Sequence, residues 1–124
     1  MIRLDYRDAR PIYEQVKDGL RKLMVSGVIQ EGEKLPSVRT MASSLAINPN
    51  TIQRAYMELE QQGLICPVKG KGSFVTDSSR IRQIGMEETL SELKKITEKG
   101  MALGVGEEEM IAVILKCYNS GNND

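Results

Sequence analysis

Two short apolar patterns separated by three residues constrain this chain more than any other feature. Val38, Met41, Ala42 and Leu45 recur at helical spacing, and so do Ile52, Ala55, Tyr56 and Leu59. Ser37 precedes the first pattern as a plausible N-cap, just after Pro36. Asn48 precedes the second, with Pro49 at the first helical position. Ala46-Ile47-Asn48 leaves room only for a tight turn, so the pair is expected to form a helix-turn-helix. An earlier helix is expected after Pro11, with Ile12, Val16, Leu20, Leu23 and Met24 on one stripe and Ser26-Gly27 at its end. Residues 28–35 read as a connector, and Gly63 as the end of the helix that Pro49 opens.

Beyond Gly63 the period changes. Leu64 to Val68 and Ser73 to Thr76 are strand-like, and Lys69-Gly70-Lys71-Gly72 between them is turn-like, which predicts a hairpin with a basic, glycine-rich tip. Pro67 requires that its strand have a free edge there. Helical spacing resumes with Ile81, Ile84, Leu90, Leu93 and Ile96, Gly85 being an irregularity within it. Gly104-Val105-Gly106 breaks this helix. Glu107, Glu108 and Glu109 then suit the positive end of a last helix lined by Met110, Ile111, Ile114, Leu115 and Tyr118. Residues 119–124 read as a frayed tail. The expected fold is mainly α with a small β-hairpin. It is a winged helix-turn-helix domain over residues 1–76, followed by a segment of two short helices over residues 77–124.

Composition excludes several functions. With no histidine, imidazole acid/base chemistry and most metal sites are absent. Cys66 and Cys117 are far apart and form no CxxC pair, so they read as two reduced thiols and not as a disulfide or zinc framework. Four Tyr, one Phe and no Trp are too few for a platform that stacks single strands. The N-terminus carries charges where a signal peptide needs an apolar core, and no run approaches the ~18 apolar residues of a membrane span. A cytoplasmic protein without cofactor, metal or membrane partner is expected, and not an enzyme.

The net charge is +0, yet it is unevenly spread. Residues 1–76 hold 11 Lys and Arg against 8 Asp and Glu, whereas residues 77–124 hold 6 against 9. From Lys34 to Thr76 the only acids are Glu58 and Glu60. A surface that lies against phosphates must shed carboxylates, because each repels the polyanion. With its apolar positions turned inward, the helix from Pro49 presents Asn50, Gln53, Arg54 and Met57 on one stripe. Asn and Gln match the N6/N7 edge of adenine, and Arg matches guanine or a phosphate. Thr51 in the first turn can reach a phosphate, helped by the helix N-terminus. An ordinary solvated face would instead carry Glu and Lys. Lys69 and Lys71 add phosphate-neutralising charge at the hairpin tip, where Gly70 and Gly72 allow close backbone approach.

The chain resembles the GntR family of transcription regulators, in its short YtrA-like form. The resemblance rests on PIYEQ (11–15), LPSVR (35–39), NPNTIQRAY (48–56), LEQQGLI (59–65) and GKGSFV (70–75), with ALGVGEEEMIAVIL (102–115) similar to the small helical tail of that type. It implies a winged helix-turn-helix that binds double-stranded operator DNA as a homodimer, the third helix in the major groove and the wing near the minor groove. It implies a DNA-binding site that includes Ser37 and Arg39 at the second helix, Thr51 on the third, and the wing glycines. Many relatives have Arg where this chain has Pro49 and Gln53, so the wider family's base preference does not carry over; Arg54 fits the YtrA-like pattern.

Residues 77–124 are too few for the large effector-binding domains common in the family. Their apolar positions, Ile84, Leu90, Leu93, Ile96, Ile111, Ile114, Leu115 and Tyr118, are expected to form a dimer interface. The alternative is a monomer whose last helices fold back on the winged domain. The seven Met residues suit an adaptable core and leave room for a small hydrophobic effector. The competing function is a winged module that contacts protein and not DNA.

Overall fold

The computed structural model describes residues 2–121. The elements run α1 (Ile12–Val25), α2 (Val38–Leu45), α3 (Pro49–Gln61), β1 (Ile65–Val68), β2 (Gly72–Val75), α4 (Ser78–Leu103) and α5 (Glu107–Gly121). They form two compact units, Met1–Gly85 and Met86–Asp124.

The first unit contains α1, α2, α3, the hairpin and the start of α4. Pro11 stands before α1, and Gly27 ends it at φ +83°, its N–H bonded to Met24 O. Ser37 caps α2 by accepting the Thr40 N–H at 3.1 Å. Asn48 caps α3 by accepting the Asn50 N–H at 2.9 Å, and Pro49 supplies the first helical residue. Between them Ala46 adopts a left-handed φ of 54°, which turns the chain sharply enough for α2 to pack on α3. Val16, Leu20 and Met24 of α1 meet Ile52, Ala55, Tyr56 and Leu59 of α3 in one buried cluster, closed by Leu64, Ile65 and Val75 of the hairpin region. Gln15, also buried, pins the N-terminal segment: its amide oxygen accepts the Asp5 N–H at 2.8 Å and its amide nitrogen donates to Asp5 O at 2.9 Å.

The hairpin pairs Ile65 with Val75, Cys66 with Phe74, Pro67 with Ser73 and Val68 with Gly72. Lys71 N–H bonds to Val68 O, and Gly70 sits at φ +77°, as the third position of a type II turn requires. The connector is more than a linker. Gly32 N–H bonds to Val75 O, Val75 N–H to Glu33 O and Leu35 N–H to Ser73 O, each at 2.9 Å, so it lies along the outer edge of β2. Ser73 therefore faces the connector, and Pro67 opposite it faces away from β2 at the free edge of β1.

Three expectations about the C-terminal part need correction. The segment is not two short helices: α4 runs 26 residues, straight through Gly85. Its first turns belong to the winged unit, because Ile81 and Ile84 lie buried in that core, so the compact unit ends at Gly85 and not at residue 76. Ile84 is thereby withdrawn from the expected dimer face. The start of α4 is fixed by Glu31, whose carboxylate accepts the Ser78 N–H, and by Asp77, which accepts the Arg80 N–H, both at 2.9 Å. The Ser79 hydroxyl and then the Arg80 N–H hold the Asp77 carboxyl below its usual range. Finally, residues 119–121 are helical; 122–124, the rest of the expected tail, lie outside the described residues.

The second unit holds the remainder of α4 and α5, joined through Gly104 at φ +85°. Gly100 is buried beneath Met110, whose methyl would lie 1.9 Å from a Cβ at that position. A side chain there would have to displace the flexible end of Met110.

Candidate nucleic-acid interface

The face of α3 opposite its buried stripe carries Asn50, Gln53, Arg54 and Met57, all exposed, with Thr51 half-buried beside them. Helical geometry places them together, because the apolar residues at Ile52, Ala55, Tyr56 and Leu59 fix which side turns inward. Asn50, Thr51 and Gln53 lie in the first turns of α3, whose leading N–H groups are taken up by Asn48. Arg54 is engaged within the protein. Its guanidinium stacks on the Tyr13 ring of α1, and it shares Glu58 with Lys17, whose ammonium lies 3.0 Å from that carboxylate. The acid closest along α3 to the amide-bearing stripe is thus flanked by two cations and repels an approaching polyanion less than a bare carboxylate would.

On α2, Arg39 is exposed, whereas Ser37 is occupied as the cap: its hydroxyl also donates to Thr40 Oγ at 2.9 Å. At the wing, Lys69, Gly70, Lys71 and Gly72 are all exposed. Gly72 has φ +113°, and a Cβ there would lie 2.7 Å from Lys34 Cε, so the Lys34 stem crosses directly over it. A cleft of about 320 Å³ separates the wing from the start of α2, lined in part by Lys34, Pro36, Ser37, Gly70, Lys71 and Ser73. Tyr56 closes its floor by donating to Pro36 O at 2.7 Å, and burial pushes its phenol up to about 12.

The α2 start, the outer face of α3 and the wing tip all belong to the first unit. The remaining expected interface residues, Leu90, Leu93, Ile96, Ile111, Ile114, Leu115 and Tyr118, are exposed in the second unit. Lys34, Tyr13 and Lys17 were not anticipated. Lys34 was visible as a cation just before Leu35-Pro36, but its approach to Gly72 depends on the connector joining the hairpin. Among the described residues, no group of three His, Cys, Asp or Glu side chains could hold a metal ion, and no helix is long and apolar enough to cross a membrane.

These features define a winged helix-turn-helix protein of the DNA-binding transcription-regulator class. Residues 12–75 match the family of bacterial regulatory proteins named gntR. The HTH-type transcriptional repressor YtrA of Bacillus subtilis is 34% identical over 112 residues, which cover 89% of this chain and 86% of that protein. A GntR family transcriptional regulator from Listeria monocytogenes superposes with a TM-score of 0.78 at 37% identity, covering 91% of this chain and 98% of that one. The DNA-binding domain of AraR in complex with its operator ORX1 superposes over 59% of this chain and 87% of that one, with a TM-score of 0.53 at 30% identity. The chain belongs to the GntR family of transcription regulators, in its YtrA-like branch.

Proposed function

We propose that this protein is a cytoplasmic repressor that binds a palindromic operator as a homodimer. The observation that carries the reading is the outer face of α3, where amide side chains stand exposed on a surface without a carboxylate between Lys34 and Glu58. In this reading α3 enters the major groove, where Asn50 and Gln53 read base edges and Arg54 meets guanine or a phosphate. Thr51 and Arg39 hold phosphates, and the wing tip runs along the neighbouring groove with Lys69 and Lys71. Ser37 contributes by fixing the start of α2. The exposed apolar side chains of the second unit join two copies, since a two-fold dimer matches a two-fold operator. The relative YtrA is a repressor, which supports the sign of regulation.

In vitro selection of duplexes bound by the full chain tests the proposal. Enrichment of an inverted repeat with fixed half-site spacing is expected. Recovery of unrelated sequences, or of single half-sites only, would overturn it.

A further inference from the structure

Arg54 is held from outside the helix-turn-helix. Its guanidinium carbon lies 3.7 Å from the centre of the Tyr13 ring on α1, within stacking distance. One terminal nitrogen donates to the Tyr13 hydroxyl at 3.0 Å, and Nε lies 3.5 Å from Glu58 Oε2. The other Glu58 oxygen takes Lys17 at 3.0 Å, and the Tyr13 hydroxyl donates in turn to Glu14 Oε1 at 3.3 Å, so two cations and two carboxylates meet in this cluster. The Arg54 side chain nevertheless stays 63% exposed. The ring covers one side of the guanidinium, and the rest remains open to solvent with donors to spare.

An arginine that meets DNA from solution gives up much of its rotamer freedom, and one already held gives up less. We propose that Tyr13 is a positioning residue for DNA recognition, its ring and hydroxyl presenting the Arg54 guanidinium to the duplex before contact. This makes α1 part of the recognition apparatus, through a contact spanning 41 residues of sequence. The inference rests on the operator reading above.

The test uses the full chain, the duplex recovered by selection and a double-mutant cycle of Tyr13→Leu with Arg54→Ala. Affinities are compared at fixed salt, at a temperature where each variant is folded by circular dichroism. In the Arg54 background, Y13L is expected to weaken binding about three- to fivefold, the scale of the rotamer freedom that a side chain already held does not lose on binding. In the R54A background the same change should cost under about 1.5-fold. Tyr13→Phe, which keeps the ring, should lose less than Y13L. Equal losses in both backgrounds would mean that Tyr13 acts only on the fold, and tighter binding by Y13L would mean that the stack competes with DNA; either overturns the proposal. A second readout does not depend on a truncated side chain: the Arg54 Nε–H resonance, shifted by the Tyr13 ring current, should stay shifted when duplex is added. Its return to an ordinary position on binding would also overturn the proposal. A wild-type chain that enriches no duplex would instead refute the operator reading.

Discussion

The two units of this chain solve the problem of apolar surface in opposite ways. Every buried apolar residue among the described ones lies between Val16 and Ile84, within the first unit. The second unit carries Leu90, Leu93, Ile96, Ile111, Leu115 and Tyr118 in the open, and α5 buries none of its own side chains. The first unit therefore has a core that fixes which side of α3 turns outward. The second has a surface that water penalises unless something covers it. In the proposed reading, position and recognition belong to one unit and association to the other.

Breaking the first unit should produce the largest effect. Leu59→Ala empties a fully buried site between α3 and its neighbours and is expected to cost about 3 kcal/mol in urea unfolding. A loss under about 1 kcal/mol would show that the core tolerates a void there. Leu115→Asp should leave unfolding of the first unit unchanged and weaken self-association by about 2 kcal/mol in sedimentation equilibrium. Unchanged association would remove α5 from the dimer face. Tyr56 sharpens the contrast through pH. Its folded pKa, about 12, lies above the ordinary 10.0, so its share of stability is complete below pH 10 and falls as pH rises toward 12. The slope should be about 1.4 kcal/mol per pH unit for this one group. It is read as the difference between wild type and Tyr56→Phe, and parallel curves for the two would contradict the burial. The smallest effect is expected at the wing: Lys71→Ala should reduce the slope of log affinity against log salt by about 1, similarly on all duplexes.

Much of the first unit was legible in the sequence because its signals are local. Ser37, Asn48-Pro49, Gly27 and Gly63 mark helix ends through caps and left-handed turns, and the apolar stripes between them fix which faces turn inward. The reading stripe of α3 followed from the same logic. What was not legible depends on distance or on competition. The connector pairs with the edge of the hairpin through backbone groups, and that pairing leaves no alternating pattern in VIQEGEKL. Gly85 looked like an interruption, but Ile81 and Ile84 on the winged core keep α4 continuous through it. The apolar spacing of α4 is the same on both sides of Gly85, so nothing local tells Ile84, which faces the core, from Leu90, which faces solvent. The Tyr13–Arg54 stack joins residues that no spacing rule relates.

The hairpin has a consequence for crowding. A two-stranded ribbon ordinarily offers two margins to which a foreign strand can add. Here Glu33 to Leu35 occupy the margin of β2, and Pro67 leaves the margin of β1 short of a donor. Both margins thus resist strand addition, so two crowded copies are disfavoured from pairing ribbon to ribbon.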